Sequence, residues 1–121
     1  MPRAKILVVD DSPTELRLVA GPLESSGYVV VTAADGDEAL HKVSQERPDL
    51  IVLDVILPKK NGFQVCRELK SGADTKDIPI ILLTSKTMET DRFWGLRQGA
   101  DAYMTKPFMD HELLTSVGNL L

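Results

Sequence analysis

Three carboxylates stand at the ends of two apolar runs: Asp54 closes Leu50-Ile51-Val52-Leu53, and the pair Asp10-Asp11 closes Lys5-Ile6-Leu7-Val8-Val9. If both runs are buried strands, their ends deliver three acids to one edge. Like charges a few ångströms apart cost roughly 1 to 4 kcal/mol even at intermediate dielectric, so the edge calls for a cation. Oxygen ligands suit Mg²⁺, which takes one or two carboxylates with waters and phosphate oxygens in octahedral geometry. One carboxylate can then serve as a nucleophile. Attack on phosphorus forms an acyl phosphate, and a metal neutralises charge on the phosphoryl oxygens and aligns the attack. Lys106 offers a second, mobile cation for the phosphoryl group, and Thr84 a hydroxyl donor to one of its oxygens.

Positioning these groups requires strands whose ends meet. Short β-branched runs alternate five times with segments of helical period, which is the pattern of a parallel sheet with crossover helices. The strands read as residues 5–10, 28–33, 50–54, 78–84 and 101–104. The first helix opens on Ser12, Pro13 and Glu15 as N-cap, N1 and N3 of a capping box, and continues with Leu16, Val19, Ala20 and Leu23 on one face. Pro22 should bend or end that helix in its last turn, before Ser25-Ser26-Gly27. Asp35 and Glu38 open a second helix with Ala39, Leu40 and Val43. Asn61-Gly62 precedes a third, with Phe63, Cys66 and Leu69 on one face. A fourth, over residues 88–97, carries Phe93, Trp94 and Leu96. The fifth starts near Asp110 and carries Leu113, Leu114, Val117 and Leu121. Crossovers of one hand give a doubly wound α/β fold, which binds ligands outside the carboxyl ends of its strands where the strand order reverses. Asp10, Asp11, Asp54, Thr84 and Lys106 all fall at that edge.

With 121 residues and 43% apolar content, the chain is expected to form one domain over residues 1–121, with a core that needs no disulfide. The single Cys66 reads as a small core residue, and His41 and His111 as surface residues without ligand-spaced partners. No signal peptide and no apolar run of about 20 residues is visible, which makes the cytoplasm the expected compartment and excludes membrane insertion. The balance of 14 Lys+Arg against 18 Asp+Glu argues against direct nucleic-acid binding. Lys59-Lys60 reads as part of a solvated turn. Trp94 reads as a packing residue first and a partner contact second.

The motifs VVDDS, IVLDVILPKKNG, LLTS and DAYMTKPF occur in the order and spacing of one known family. Over essentially its whole length the chain resembles a response-regulator receiver domain of the CheY type, from bacterial two-component signalling. The resemblance implies a flavodoxin-like sheet in the order 2-1-3-4-5 with five helices. It implies that Asp54 accepts a phosphoryl group from a sensor histidine kinase. Asp11, Asp54 and the backbone carbonyl of Ile56 would hold Mg²⁺, or Mn²⁺ as a substitute, with Asp10 acting mainly through water. Thr84, Lys106 and the backbone N–H groups of Val55 and Ser85 would receive the phosphoryl oxygens. Tyr103 matches an aromatic switch coupled to Thr84, and the Lys106–Pro107 bond matches one that is usually cis. Such a domain catalyses only its own phosphoryl transfer and slow autodephosphorylation. It signals to a downstream protein, here unidentified, through the surface of the fourth helix, fifth strand and fifth helix, as a monomer or a phosphorylation-dependent dimer.

Two positions depart from chemotaxis-type receivers: Ile56 is apolar where they have Asn, and Lys86 is basic where they have Glu. Because Ile56 offers no polar group to position water, a longer acyl-phosphate lifetime is expected. The stretch from Lys86 to Ala100 resembles single-domain regulators of twitching or gliding motility, the PilH-like group. Other readings are a receiver that merely drains phosphate from a shared kinase, an aspartyl-phosphate hydrolase and a flavodoxin-like electron carrier. A hydrolase of the haloacid dehalogenase type wants a second Asp where Ile56 stands. A carrier wants a Ser/Thr-rich loop where Asp10-Asp11-Ser12-Pro13 stands, which would repel phosphate in the absence of a metal.

Overall fold

Each β-branched or leucine-rich run forms a strand, and each strand is followed by a helix. In chain order these are β1 (Lys5–Val9), α1 (Pro13–Ser25), β2 (Val29–Ala33), α2 (Gly36–Glu46), β3 (Leu50–Leu53), α3 (Gly62–Ser71), β4 (Ile80–Thr84), α4 (Glu89–Arg97), β5 (Ala102–Thr105) and α5 (Asp110–Leu120). The computed structural model describes residues 3–85 and 89–121, so Lys86 lies outside the described residues. All neighbouring strands pair in parallel, in the order β2-β1-β3-β4-β5, as the resemblance implied. Strand bounds differ from the expected ones by at most two residues. The largest shift is the start of β4, where Pro79 has no N–H for the ladder and pairing begins at Ile80.

Alternation along the strands divides the core into two layers. Ile6, Val8, Leu50, Val52, Ile81 and Leu83 meet Val19 and Leu23 of α1 and Leu113 and Val117 of α5. On the opposite face Leu7, Val9, Ile51, Leu53, Ile80 and Leu82 meet Ala39 and Val43 of α2 and Val65, Cys66 and Leu69 of α3. All of β3 is buried, as befits a central strand covered on both faces. Cys66 is in the core, with its thiol 3.6 Å from the carbonyl oxygen of Gln98, and both histidines are exposed.

The local signals hold for α2 and α3. Asp35 caps α2 through Oδ1, which accepts from the Glu38 N–H at 2.8 Å, and Asn61 and Gln64 complete a reciprocal capping box at the start of α3. The box expected at α1 is only half made. Ser12 Oγ accepts from the Glu15 N–H at 3.3 Å, but the Ser12 N–H donates to Asp10 Oδ1 at 3.0 Å rather than to Glu15. Pro22 does not stop α1 at once. The helix continues to Ser25, because the carbonyl left without a donor belongs to the exposed residue Leu18, where water can serve it.

Helix α4 departs most from expectation. Phe93, Trp94 and Leu96 are 62%, 51% and 46% exposed, so Trp94 is not a packing residue. The helix touches the sheet through Gly95 instead, where an added Cβ would lie 2.9 Å from Leu82 and 3.0 Å from the Tyr103 ring. With the closest approach at a glycine, the neighbouring large side chains have no room beneath the helix and point outward. Leu121, expected on the buried face of α5, is also exposed, because it lies beyond the last helical residue. Among the described residues no helix is long and apolar enough to cross a membrane.

Candidate functional site

The strand register decides which carboxylates meet. Val9 pairs with Leu53, so Asp10 and Asp54 leave adjacent strands side by side, and the Asp54 N–H donates to the Val9 carbonyl at 3.0 Å. The two residues are only 4% and 8% exposed. Each is oriented by its own loop: Asp10 Oδ1 accepts from the Ser12 N–H at 3.0 Å, and Asp54 Oδ1 from the Ile56 N–H at 3.1 Å. These bonds to the residue two positions on are Asx turns, which leave the second oxygen of each carboxylate for another partner. That partner is Lys106, whose Nζ lies 2.7 Å from Asp10 Oδ2 and 3.0 Å from Asp54 Oδ2. Lys106 follows β5, where Thr105 pairs with Thr84. Its N–H donates to the Thr84 carbonyl at 2.8 Å, and its bond to Pro107 is cis, as expected.

The ammonium is a firmly held cation. Burial alone would lower its pKa, but the hydrogen bonds to Asp10 and Asp54 and the charges behind them outweigh burial and raise it above the ordinary lysine value. Glu15 of α1 adds a further carboxylate, with Oε2 at 3.6 Å from Nζ. Asp11 does not join this group, and its side chain is exposed. Among the described residues no three acidic, His or Cys side chains converge closely enough to hold a metal ion as they stand. Lys106 occupies the position between Asp10 and Asp54 and neutralises there the repulsion that the sequence places on this edge. The donor set nonetheless fits a small divalent ion. It consists of hard oxygens, and among the described residues the acids at positions 10, 11 and 54 outnumber the Lys106 ammonium.

The remaining residues named from the sequence surround this pair. Thr84 is fully buried at the end of β4. Ser85 is exposed and, with Glu15, Leu18, Lys106, Pro107, Phe108 and Asp110, lines a cavity of about 450 Å³ beside the ammonium. Val55 is buried and its carbonyl accepts from the Gly62 N–H at 2.8 Å, whereas Ile56 is 54% exposed. Tyr103 is buried, with the Arg92 guanidinium 5.5 Å from its ring centre; burial and then the Asp91 charge push its phenol pKa up. Two residues escaped sequence reasoning. Glu15 was assigned to the helix cap, although Asp10 stands two residues before Ser12 and can take the amide in its place. Gly62 reads from the sequence only as a residue at the start of the third helix, yet it packs so tightly on the loop after β3 that a Cβ would overlap the Asp54 carbonyl oxygen.

Comparison with known proteins places this geometry in a family. The response regulator receiver domain model matches residues 6–118. PilH of Pseudomonas aeruginosa is 43% identical over 98% of this chain and 98% of its own length. The chain spans about half the length of several other relatives. The chemotaxis response regulator CheY4 of Vibrio cholerae superposes with a TM-score of 0.92 at 37% identity, over 99% of this chain and 100% of that one. The receiver domain of a Pseudomonas aeruginosa sensor histidine kinase, solved with magnesium coordinated in its active-site cleft, gives a TM-score of 0.90 at 32% identity over 98% of each. A family model spanning nearly the whole chain, and a sheet with the same strand order as that family's, make this chain a member of the response regulator receiver domain family.

Proposed function

We propose that Asp54 is the phosphoacceptor and that it takes its phosphoryl group from the phosphohistidine of a sensor kinase. The observation that carries this reading is the Lys106 ammonium set between two buried carboxylates, Asp10 and Asp54, at the end of the central strand. A carboxylate oxygen of Asp54 forms the new P–O bond as the P–N bond to the donor imidazole breaks. The bonding pair leaves with the imidazole nitrogen, which takes up a proton. The Ile56 N–H fixes the orientation of the carboxylate throughout. Lys106 exchanges its bond to Asp54 for one to a phosphoryl oxygen, and the Thr84 hydroxyl and the backbone N–H groups of Val55 and Ser85 serve the others.

Asp11, Asp54 and the Ile56 carbonyl, with Asp10 through water, would hold Mg²⁺ or a substituting Mn²⁺, which when bound neutralises charge on the phosphoryl oxygens. Thr84 and Tyr103 would pass the change to the surface of α4, β5 and α5, where a downstream protein or a second copy would read it. The similarity to PilH and to a chemotaxis regulator supports a role in motility, and residues 1–121 are proposed to act as one domain in the cytoplasm. Hydrolysis of the acyl phosphate, slow here, resets the domain. The test is incubation with acetyl phosphate or phosphoramidate and Mg²⁺, followed by intact-mass measurement. Wild type gains a phosphoryl adduct and Asp54→Asn does not; no adduct on wild type, or an equal one on the variant, removes the assignment.

A further inference from the structure

Glu15 is a carboxylate within ion-pair range of Lys106 that neither the fold nor the proposed transfer uses. Its place three residues after Ser12 suits a helix cap. Yet the cap is complete without its side chain, because the Ser12 N–H goes to Asp10 Oδ1 and Ser12 Oγ receives the Glu15 N–H. The carboxylate instead sets Oε2 3.6 Å from Lys106 Nζ, in ion-pair range but too far for a hydrogen bond. Lys106 is therefore drawn inward by Asp10 and Asp54 and outward by Glu15, whose side chain is 40% exposed at the cavity beside the ammonium.

We propose that Glu15 is a positioning residue that restrains phosphorylation of Asp54, by holding Lys106 from the cavity side and placing a negative charge beside the path of an anionic donor. The inference rests on Asp54 being the phosphoacceptor. An arriving phosphoryl group needs the ammonium, and every carboxylate around that ammonium competes for it and repels the newcomer. Asp10 and Asp54 belong to the reacting site itself. Glu15 stands outside it, so its charge alters the rate without altering the chemistry. A part-exposed ion pair of this kind supports an effect of about two- to five-fold.

The experiment compares wild type, Glu15→Gln and Glu15→Asp, modified by acetyl phosphate at saturating Mg²⁺ and followed by intact mass at a series of donor concentrations. Glu15→Gln is expected to raise the rate at subsaturating donor about two- to five-fold in about 20 mM salt, with the gain all but lost in about 500 mM salt, where screening is short-ranged. Glu15→Asp, which keeps the charge but draws it back by one methylene from Lys106, gives a rate between those of wild type and Glu15→Gln, and the three melt within a few degrees of one another. A purely structural role would not respond to salt in this way. The inference is overturned by a Glu15→Gln rate equal to wild type at low salt, by a gain that ignores salt, or by Glu15→Asp behaving like Glu15→Gln. If wild type takes no phosphoryl group, the Asp54 assignment itself fails; if wild type is modified and Glu15→Gln merely matches it, only the role of Glu15 fails.

Discussion

Replacing Lys106 by methionine keeps a long side chain and removes the ammonium between Asp10 and Asp54. At 2.7 and 3.0 Å, each of the two pairs carries roughly 6 kcal/mol of Coulomb attraction at an effective dielectric near 20. The desolvation of the ammonium and the mutual repulsion of the two carboxylates offset most of that. Leaving buried charges uncompensated typically costs about 3 to 5 kcal/mol, and since the Lys106 side chain is 14% exposed and water can enter, the low end of about 3 kcal/mol applies. With a urea slope of about 2 kcal/mol/M, the unfolding midpoint should fall by about 1.5 M at pH 7. The folded-state pKa of Lys106 is raised above its ordinary 10.5, so its contribution is complete below 10.5 and is lost as pH climbs through the higher folded value. The gap between wild type and variant should thus persist from pH 7 to about pH 10 and close above that. Millimolar Mg²⁺ should restore more stability to the variant than to wild type, because both carboxylates are then open to the ion. Midpoints that agree within about 0.2 M at pH 7, or a gap that widens above the ordinary lysine pKa, would refute the electrostatic account of this site.

Four further outcomes follow from the structure. Gly62→Ala should cost about 2 to 3 kcal/mol in urea unfolding, since the new methyl meets the Asp54 and Val55 backbone and no flexible side chain can yield. Gly118→Ala, in α5 with nothing within 4 Å of the new Cβ, should instead be neutral or stabilise by up to about 1 kcal/mol. Ile56→Asn should shorten the lifetime of the phosphorylated protein, measured as decay of the mass adduct after donor removal; an unchanged or longer lifetime contradicts the role of the apolar side chain. Burial pushes the Cys66 thiol up to about 11, so a thiol reagent near pH 8 should label the native protein only at its opening rate and the urea-unfolded protein at once. Rapid native labelling would place Cys66 outside the core.

Much of the site was legible because each of its groups sits where an apolar strand stops. Val9-Asp10, Leu53-Asp54 and Thr105-Lys106 mark strand ends, and parallel topology puts all such ends on one edge. Less legible were features that depend on competition for a single group. Glu15 reads as a capping residue because Ser12 and Glu15 stand at capping distance, but Asp10, anchored by the end of β1, reaches the Ser12 N–H first. The exposure of Phe93, Trp94 and Leu96 was equally hidden. Their apolar character suggests burial, whereas the contact is made by Gly95, whose missing side chain lets α4 approach Leu82 and Tyr103.

What the sequence by itself determined was the alternation of strands and helices and the chemistry delivered to the carboxyl edge, since both depend on local periodicity and on residue type. The tertiary structure alone decided which charges touch. Whether the cation between Asp10 and Asp54 is an ammonium, and whether Asp11 turns in or out, depends on distances of a few tenths of an ångström. Those are set by the β1–β3 register and by the reach of Lys106 from the end of β5, two places from β3 and three from β1. Coulomb energy at such separations changes steeply with distance and burial, and neither quantity is a local property of the chain.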